Sequence, residues 1–344
     1  MADSHLPRIA VLDDYLHVAL EAADWSALAG RCQIDVIDRP LGHHDEAATA
    51  LAPYEVLCHL RERTPMPASL LARLPNLRFM TVTGKAHRTL DLAAATARHI
   101  AVSHVSAGDP PSHGAPELAW GLVLAAARRI SCEDRQIRAG KWQTGLGMEL
   151  FGKTLGLLGL GALGQQVARY GQAFGMKVIA WSPNLTAAAA SMHGVLRVEK
   201  AALFEQSDVL SVHLVLGDRT RHLVGADELR LMKREAVLVN TARGPIIEEA
   251  ALVRALTDGW IAAAGLDVFD TEPLPAGHPL CAMDNVVLTP HIGYATRDTF
   301  RRFYEATVAG IISYLDGSPK NLLNPQAWPV HASPEHKAGQ SASA

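Results

Sequence analysis

The chain is poor in the residues that mark several protein classes. Among its 344 residues there are only four cysteines, Cys32, Cys58, Cys132 and Cys281, far apart and with no Cys-x-x-Cys pair. That spacing supports neither a zinc site nor a disulfide framework. Aromatic residues make up 6%, and neither sign of charge dominates, with 32 Lys plus Arg against 35 Asp plus Glu. Without a basic excess, nothing points to nucleic acid or to an anionic membrane. No stretch is apolar enough to span a bilayer, and the opening Met-Ala-Asp-Ser-His-Leu-Pro-Arg carries no apolar signal segment, so a cytoplasmic protein is expected. The sixteen histidines mean that no single one argues for itself.

What is present in quantity is alternation. Short β-like runs at Ile9–Leu12, Cys32–Ile37, Val56–His59, Leu77–Val82 and Ile100–Ser103 are separated by Ala- and Leu-rich segments such as Asp13–Leu28 and Ala68–Leu74, which read as helices. The pattern resumes with Leu155–Leu158, Val178–Trp181, Val209–Leu214, Ala236–Asn240, Ala263–Val268 and Val286–Leu288, giving six strands for a second sheet. Strand–helix alternation of this kind predicts α/β architecture with two doubly wound parallel sheets. Between them a breaker-rich loop beginning at Ser106 runs into an apolar helix over Glu117–Ile130, suited to link the sheets and to bury a face against a partner. A further helix, Thr296–Leu315, is placed to return to the first domain, and the polar tail 331–344 is expected to be disordered.

Residues Thr154 to Trp181 hold an apolar strand, the turn Gly159-x-Gly161-x-x-Gly164, an amphipathic run and a second apolar strand. This order builds a cradle for a dinucleotide pyrophosphate. Gly159 permits the tight turn, Gly161 lets the backbone approach the phosphates, and Gly164 allows close helix packing. The unpaired N–H groups at the helix start, with the helix dipole, favour the negative charge. A glycine-rich turn that binds nothing is the plain alternative, and the flanking strands argue against it.

Three further segments fall at the ends of late strands, where open α/β sheets bind ligands. They are Asn240-Thr241-Ala242-Arg243-Gly244-Pro245, Gly265-Leu266-Asp267-Val268-Phe269-Asp270-Thr271-Glu272-Pro273, and Leu288-Thr289-Pro290-His291-Ile292-Gly293. Each alone has an ordinary explanation, as a surface ion pair, a solvated turn or a core histidine. Together they supply what carbonyl reduction needs. Arg243 offers a permanently charged planar fork to a carboxylate. His291 can give a proton to a carbonyl oxygen and take it back, a step contributing on the order of 10²–10⁴ in rate. Glu272 would hold the imidazole and favour its protonated form.

These four motifs, in this order and spacing, resemble the D-isomer-specific 2-hydroxyacid dehydrogenase family over about residues 6 to 326. The resemblance implies a Rossmann cofactor domain (106–295) inserted into a flavodoxin-like substrate domain made of the chain's two ends (1–105 and 296–330). It implies Arg243, Glu272 and His291 as the catalytic set. Cofactor contacts would come from Gly159, Gly161, Ala162, Leu163, Gly164, Ser182, Thr241, Asp267 and Gly293, with Asp267 near the nicotinamide amide. It also implies a D-2-hydroxy acid and its 2-oxo partner as substrates, lying in a cleft between domains. A homodimer is implied too, with the Trp120–Ile130 face at the contact. No metal is implied.

Two departures bear on specificity. Where NAD-binding units commonly place an acid at the end of the second strand, this chain has Trp181-Ser182-Pro183-Asn184, and no Arg or Lys follows at once. The cofactor is therefore NAD or NADP, tilted slightly to NAD. The substrate loop, Thr83-Gly84-Lys85-Ala86-His87-Arg88, is bulky and basic where the commoner version is rich in Gly and Asn. Thr83, Gly84 and Lys85 are its expected substrate contacts, beside Arg243 and His291. Leu118 stands where many relatives carry a histidine and should bear no chemistry. The oxo acid itself is not legible. A protein that senses NAD(H) with little turnover, like a corepressor, is the alternative from another class.

Overall fold

The computed structural model describes residues 6–84, 87–105 and 113–328. Lys85, most of the breaker-rich loop and the expected disordered tail 331–344 lie outside the described residues. The chain divides into two compact units, one of residues 1–111 and 297–344, the other of residues 112–296.

In the first unit five strands, β1 (Arg8–Leu12), β2 (Gln33–Ile37), β3 (Val56–His59), β4 (Phe79–Thr83) and β5 (Ala101–Val105), form one parallel sheet in the order β2-β1-β3-β4-β5. This is the flavodoxin order. All but the edge strand β2 are largely buried, which is why they read as near-continuous apolar runs rather than as alternating ones. On one face the helix Arg297–Leu315 packs across β4 and β5, with Tyr314 stacked on Phe79 at a centroid distance of 4.6 Å. The chain after that helix is tied down by Asn324, which is fully buried. Its Oδ1 accepts from the Val102 N–H at 2.8 Å, and its Nδ2 donates to the Ile100 carbonyl at 2.9 Å and the Thr96 hydroxyl at 3.0 Å.

The helix expected over Asp13–Leu28 does not form. The segment is a series of turns with one 3₁₀ turn at Ser26–Leu28. Its backbone donors go to a side chain instead: the Asp14 carboxylate accepts from the N–H groups of Val18 (3.1 Å) and Ala19 (2.8 Å). Asp13 and His17 adopt positive φ, at 62° and 54°. Local capping of this kind competes with a helical ladder, and Ala content alone did not reveal it.

The second unit carries seven parallel strands: β6 (Thr154–Leu158), β7 (Lys177–Trp181), β8 (Leu196–Arg197), β9 (Val209–Val212), β10 (Val237–Asn240), β11 (Ala263–Leu266) and β12 (Val286–Leu288). Their order, β12-β11-β10-β9-β6-β7-β8, is the Rossmann order extended by one strand. Six were expected; the seventh, β8, is only two residues long and half charged, too short to show a pattern. Two apolar clusters cover the two faces of this sheet.

The expected helix Glu117–Ile130 is two helices, Gly114–Ala127 and Ile130–Arg138, broken where Arg129 turns left-handed at φ 56°. The first lies against β10 and β11 of its own unit. Its Trp120 is buried there, edge-on to Phe174 at 4.8 Å. The expected Trp120–Ile130 contact face is thus corrected at Trp120, whose ring is used inside the unit. Among the described residues no helix is long and apolar enough to cross a membrane, and no cluster of His, Cys, Asp and Glu is arranged to hold a metal ion.

Candidate active site

In the second unit the sequence reverses its sheet order between β6 and β9, and the glycine turn leaves β6 at that point. Gly159 has φ 108°, which only glycine adopts without strain, and a Cβ there would lie 2.9 Å from the His213 carbonyl. Its N–H donates to the Trp181 carbonyl at 2.9 Å, so the turn sits beside the end of β7. A Cβ on Gly164 would meet the Gly159 carbonyl oxygen at 2.3 Å, which packs the helix Ala162–Ala173 onto the turn. Gly161 differs from both. It is exposed and caps that helix with no side chain, and a Cβ on it would enter open space. Among the described residues no contact requires glycine there, whereas close approach by a pyrophosphate would. Ala162 and Leu163 follow as the first, exposed residues of the helix, and Ser182 is half-buried just after β7.

Behind the turn lies a residue that sequence reasoning passed over. His213 accepts or donates a 2.9 Å bond with the Ser211 hydroxyl, and burial pushes its pKa down to about 4. Its signal was a Ser-x-His pair inside an otherwise apolar strand.

The three strand-end motifs meet through their backbones. After β10, the buried Asn240 side chain closes a small turn: Oδ1 accepts from the Ala242 N–H at 3.0 Å, and Nδ2 donates to the Arg243 carbonyl at 2.9 Å. This turn presents Thr241 and Arg243, both half-buried, and the Arg243 Nη1 donates to the Ala242 carbonyl at 2.6 Å. Gly244 then touches the loop after β11 so closely that a Cβ would lie 2.1 Å from the Phe269 carbonyl carbon. That approach brings Glu272 within reach of Arg243's charge.

Glu272 accepts from the Phe269 N–H at 3.0 Å through Oε1, and its Oε2 lies 2.6 Å from His291 Nδ1. Burial works to raise the Glu272 carboxyl, but the His291 hydrogen bond and charge, the Phe269 N–H and the Arg243 guanidinium together hold it below the usual carboxylate range. His291 sits at φ 53°, with its ring edge-to-face against Tyr294 at 5.9 Å. Its Nε2 has no partner among the described residues.

The loop carrying His291 is fastened by Asp267, which is 1% exposed. Its Oδ1 accepts from the Thr289 hydroxyl (2.7 Å) and the Ile292 N–H (2.8 Å), and its Oδ2 from the Gly293 N–H (2.9 Å). Burial pushes this carboxyl up, against the pull of those donors and of His291. Asn240 and Asp267 therefore set the geometry of Arg243 and His291, and the motifs alone gave neither that task.

Of the substrate-loop residues, Thr83 and Gly84 lie in the first unit. Thr83 is buried and its hydroxyl accepts from the Arg61 N–H at 2.6 Å; Gly84 has φ 99°. Lys85 is outside the described residues. His87 is buried edge-to-face against His59 at 5.2 Å, and burial lowers its pKa.

Two glycine substitutions should separate packing from ligand approach. Gly161→Ala is expected to leave stability within about 0.5 kcal/mol, because nothing occupies the space, while weakening dinucleotide binding. Gly244→Ala is expected to cost about 1–3 kcal/mol or more by forcing two loops apart. Urea unfolding and a binding titration of each variant measure both. A Gly161→Ala protein that binds a dinucleotide like the parent would show that this glycine faces no ligand.

Residues 120–293 match the family model described as D-isomer specific 2-hydroxyacid dehydrogenase, NAD binding domain. The chain is similar to the glyoxylate reductase of Aeropyrum pernix, 43% identical over 265 residues, covering 74% of this chain and 78% of that protein. It is similar to the hydroxypyruvate reductase of Blautia hydrogenotrophica, 31% identical over 92% of this chain and 99% of that one. Among solved structures it is similar to a phosphoglycerate oxidoreductase from Vibrio cholerae, with a TM-score of 0.85, 32% identity, and 91% and 100% of the two chains covered. The chain thus belongs to the D-isomer specific 2-hydroxyacid dehydrogenase family, an NAD(P)-dependent enzyme that interconverts 2-oxo and 2-hydroxy acids.

Proposed function

We propose that this enzyme reduces small 2-oxo acids, glyoxylate and hydroxypyruvate first, to D-2-hydroxy acids, with Arg243, Glu272 and His291 as its catalytic residues. The observation that carries the reading is the 2.6 Å Glu272–His291 contact through Nδ1, which leaves Nε2 to face a reacting oxygen. The relatives named as glyoxylate and hydroxypyruvate reductases support the substrate class. Nothing among them supports the sensing alternative.

Arg243 binds the substrate carboxylate through its planar fork and orients the carbonyl. A nicotinamide bound there would supply the hydride in reduction and accept it in oxidation. The doubly protonated His291 gives its Nε2 proton to the carbonyl oxygen, and the neutral ring removes it in the reverse direction. Glu272 orients the ring and stabilises its charge. Gly159, Gly161, Ala162, Leu163 and Gly164 would hold the pyrophosphate, Ser182 the adenosine ribose, and Thr241, Asp267 and Gly293 the nicotinamide end. In the first unit, Thr83, Gly84 and Lys85 are assigned to substrate on their sequence pattern.

We also infer a homodimer in the cytoplasm. The segment 141–150 has no regular structure and exposes Trp142 (77%) and Leu146 (97%), with Phe151 following at 76%. A run of large apolar groups left open in this way is the mark of an interaction surface, and a second copy would cover it. All four cysteines are free, three of them buried, which fits a reducing compartment. Light scattering should find a dimer, and Leu146→Ser with Trp142→Ser should shift it toward monomer; a monomeric parent protein would refute the assignment.

The pH dependence follows from the proton's direction. Reduction consumes a proton that His291 would deliver and oxidation releases one, so the two rates should depend on pH in opposite directions. The Glu272 carboxyl is held low, so its contribution to the pair is present above the ordinary carboxylate range and is lost only as pH falls through its depressed folded value. Steady-state rates from pH 5 to 9, with chemistry rate-limiting, should show these opposite slopes; a flat profile for reduction would remove His291 as the acid.

Arg243→Lys tests the fork. A point charge cannot grip a carboxylate bidentately, so kcat/KM for 2-oxo acids should fall by about 10²-fold or more, with cofactor affinity nearly unchanged. Equal losses in both would make Arg243 structural. The same assay, with NADH and NADPH against a panel of 2-oxo acids, reads out substrate class.

A further inference from the structure

In a sheet of this order the adenosine ribose lies over the end of the unit's second strand, here β7, where an acid accepting from both ribose hydroxyls favours NAD. This chain offers no such acid. From Lys177 through Val198 it contains neither Asp nor Glu. The residues after β7 instead form a turn, closed by the Leu185 N–H donating to the Ser182 carbonyl at 3.2 Å. Ser182 is half-buried, and Asn184 is exposed beside it.

The fold brings a cation to this turn from the neighbouring strand. Arg197 lies on β8, paired in register with Ala180 of β7. Its Nε donates to the Leu185 carbonyl at 3.1 Å, which tethers the guanidinium to the turn that has replaced the acid. Its Nη1 donates to the Glu199 carboxylate at 2.7 Å. Its Nη2 bonds to nothing among the described residues. Glu199 is 76% exposed, so its hold on the guanidinium is weak and solvent-screened.

Resting on the cofactor site proposed above, we infer that this enzyme selects the 2′-phosphorylated dinucleotide, NADP(H), and that Arg197 supplies the cation its phosphate requires. A phosphate monoester carries about −1.5 to −2 charges near neutral pH and three acceptor oxygens. Against it the solvated Glu199 carboxylate is a poor competitor for the guanidinium. The Ser182 hydroxyl and the Asn184 amide add neutral donors, and no carboxylate within the turn repels the phosphate. Arg197 is a specificity-determining residue, remote from the hydride path.

Calorimetric titration of the full chain with adenosine 2′,5′-bisphosphate and with AMP tests this without any turnover, because neither ligand carries the nicotinamide. The bisphosphate should bind about 10- to 100-fold more tightly, the range of one or two hydrogen bonds to a charged group. Arg197→Met should erase most of that preference and leave AMP affinity within about twofold. Ser182→Asp, a milder change, should restore an acid and turn the preference toward AMP, as should the ratio of NADH to NADPH affinities. Equal affinities in the parent, or tighter AMP, overturn the selectivity while leaving the cofactor site standing. Equal loss of both ligands in Arg197→Met makes Arg197 a loop support and overturns its assignment. If neither ligand binds the parent, the cofactor site itself fails, and this inference with it.

Discussion

A carboxylate and an imidazole 2.6 Å apart, with side chains 35% and 26% exposed, do not hold one another in place. A partly solvated ion pair gains little from its own attraction. The Glu272–His291 contact exists because the two loops that carry it are fixed independently. The Glu272 carboxylate is anchored to the Phe269 N–H on one side. The His291 loop is knotted by three donors onto buried Asp267 on the other. Both fastenings are backbone-rich, so the pair is presented to a ligand already formed, and little ordering remains to be done when one arrives.

The same constraint reaches Arg243. Its loop is shaped by Asn240 and pressed onto Phe269 through a position where any side chain would collide. Three strand ends, far apart in sequence, are thereby fused into one rigid edge at the carboxyl end of the sheet. The parallel order makes this possible, since every strand of the unit delivers its exit loop to the same edge.

Much of this was legible in the sequence, and the rest was hidden for identifiable reasons. Buried parallel strands announce themselves as apolar runs, so Val56–His59 is found to the residue and most others within two. The glycine turn and the Arg, Glu and His motifs are local patterns at strand ends, readable without contacts. What could not be read depends on who meets whom. Asp14 turns the expected first helix into a capped loop, and Arg129 breaks the long helix by one backbone angle. Asp267 stands out only as a cofactor contact implied by the resemblance, and Asn240 looks like an ordinary polar residue, until their partners are known. Arg197 looks like a charge on a fragment of strand until β8 is seen paired with β7.

Burial shifts two titratable groups near these loops. His213, behind the glycine turn, is driven toward its neutral form by burial, so it places no fixed cation beneath the phosphate cradle. A phosphate held at this turn, as proposed above, would meet backbone N–H groups and the helix dipole. Asp267 spends its oxygens on the loop donors it gathers, which offset the burial that disfavours its charge. The Glu272 carboxylate, which feels the charge of Arg243, is committed to the imidazole. On the function proposed above, an incoming 2-oxo acid would meet a guanidinium beside an acid that already holds the imidazole, so binding the carboxylate and protonating the carbonyl oxygen would fall to groups on neighbouring loops.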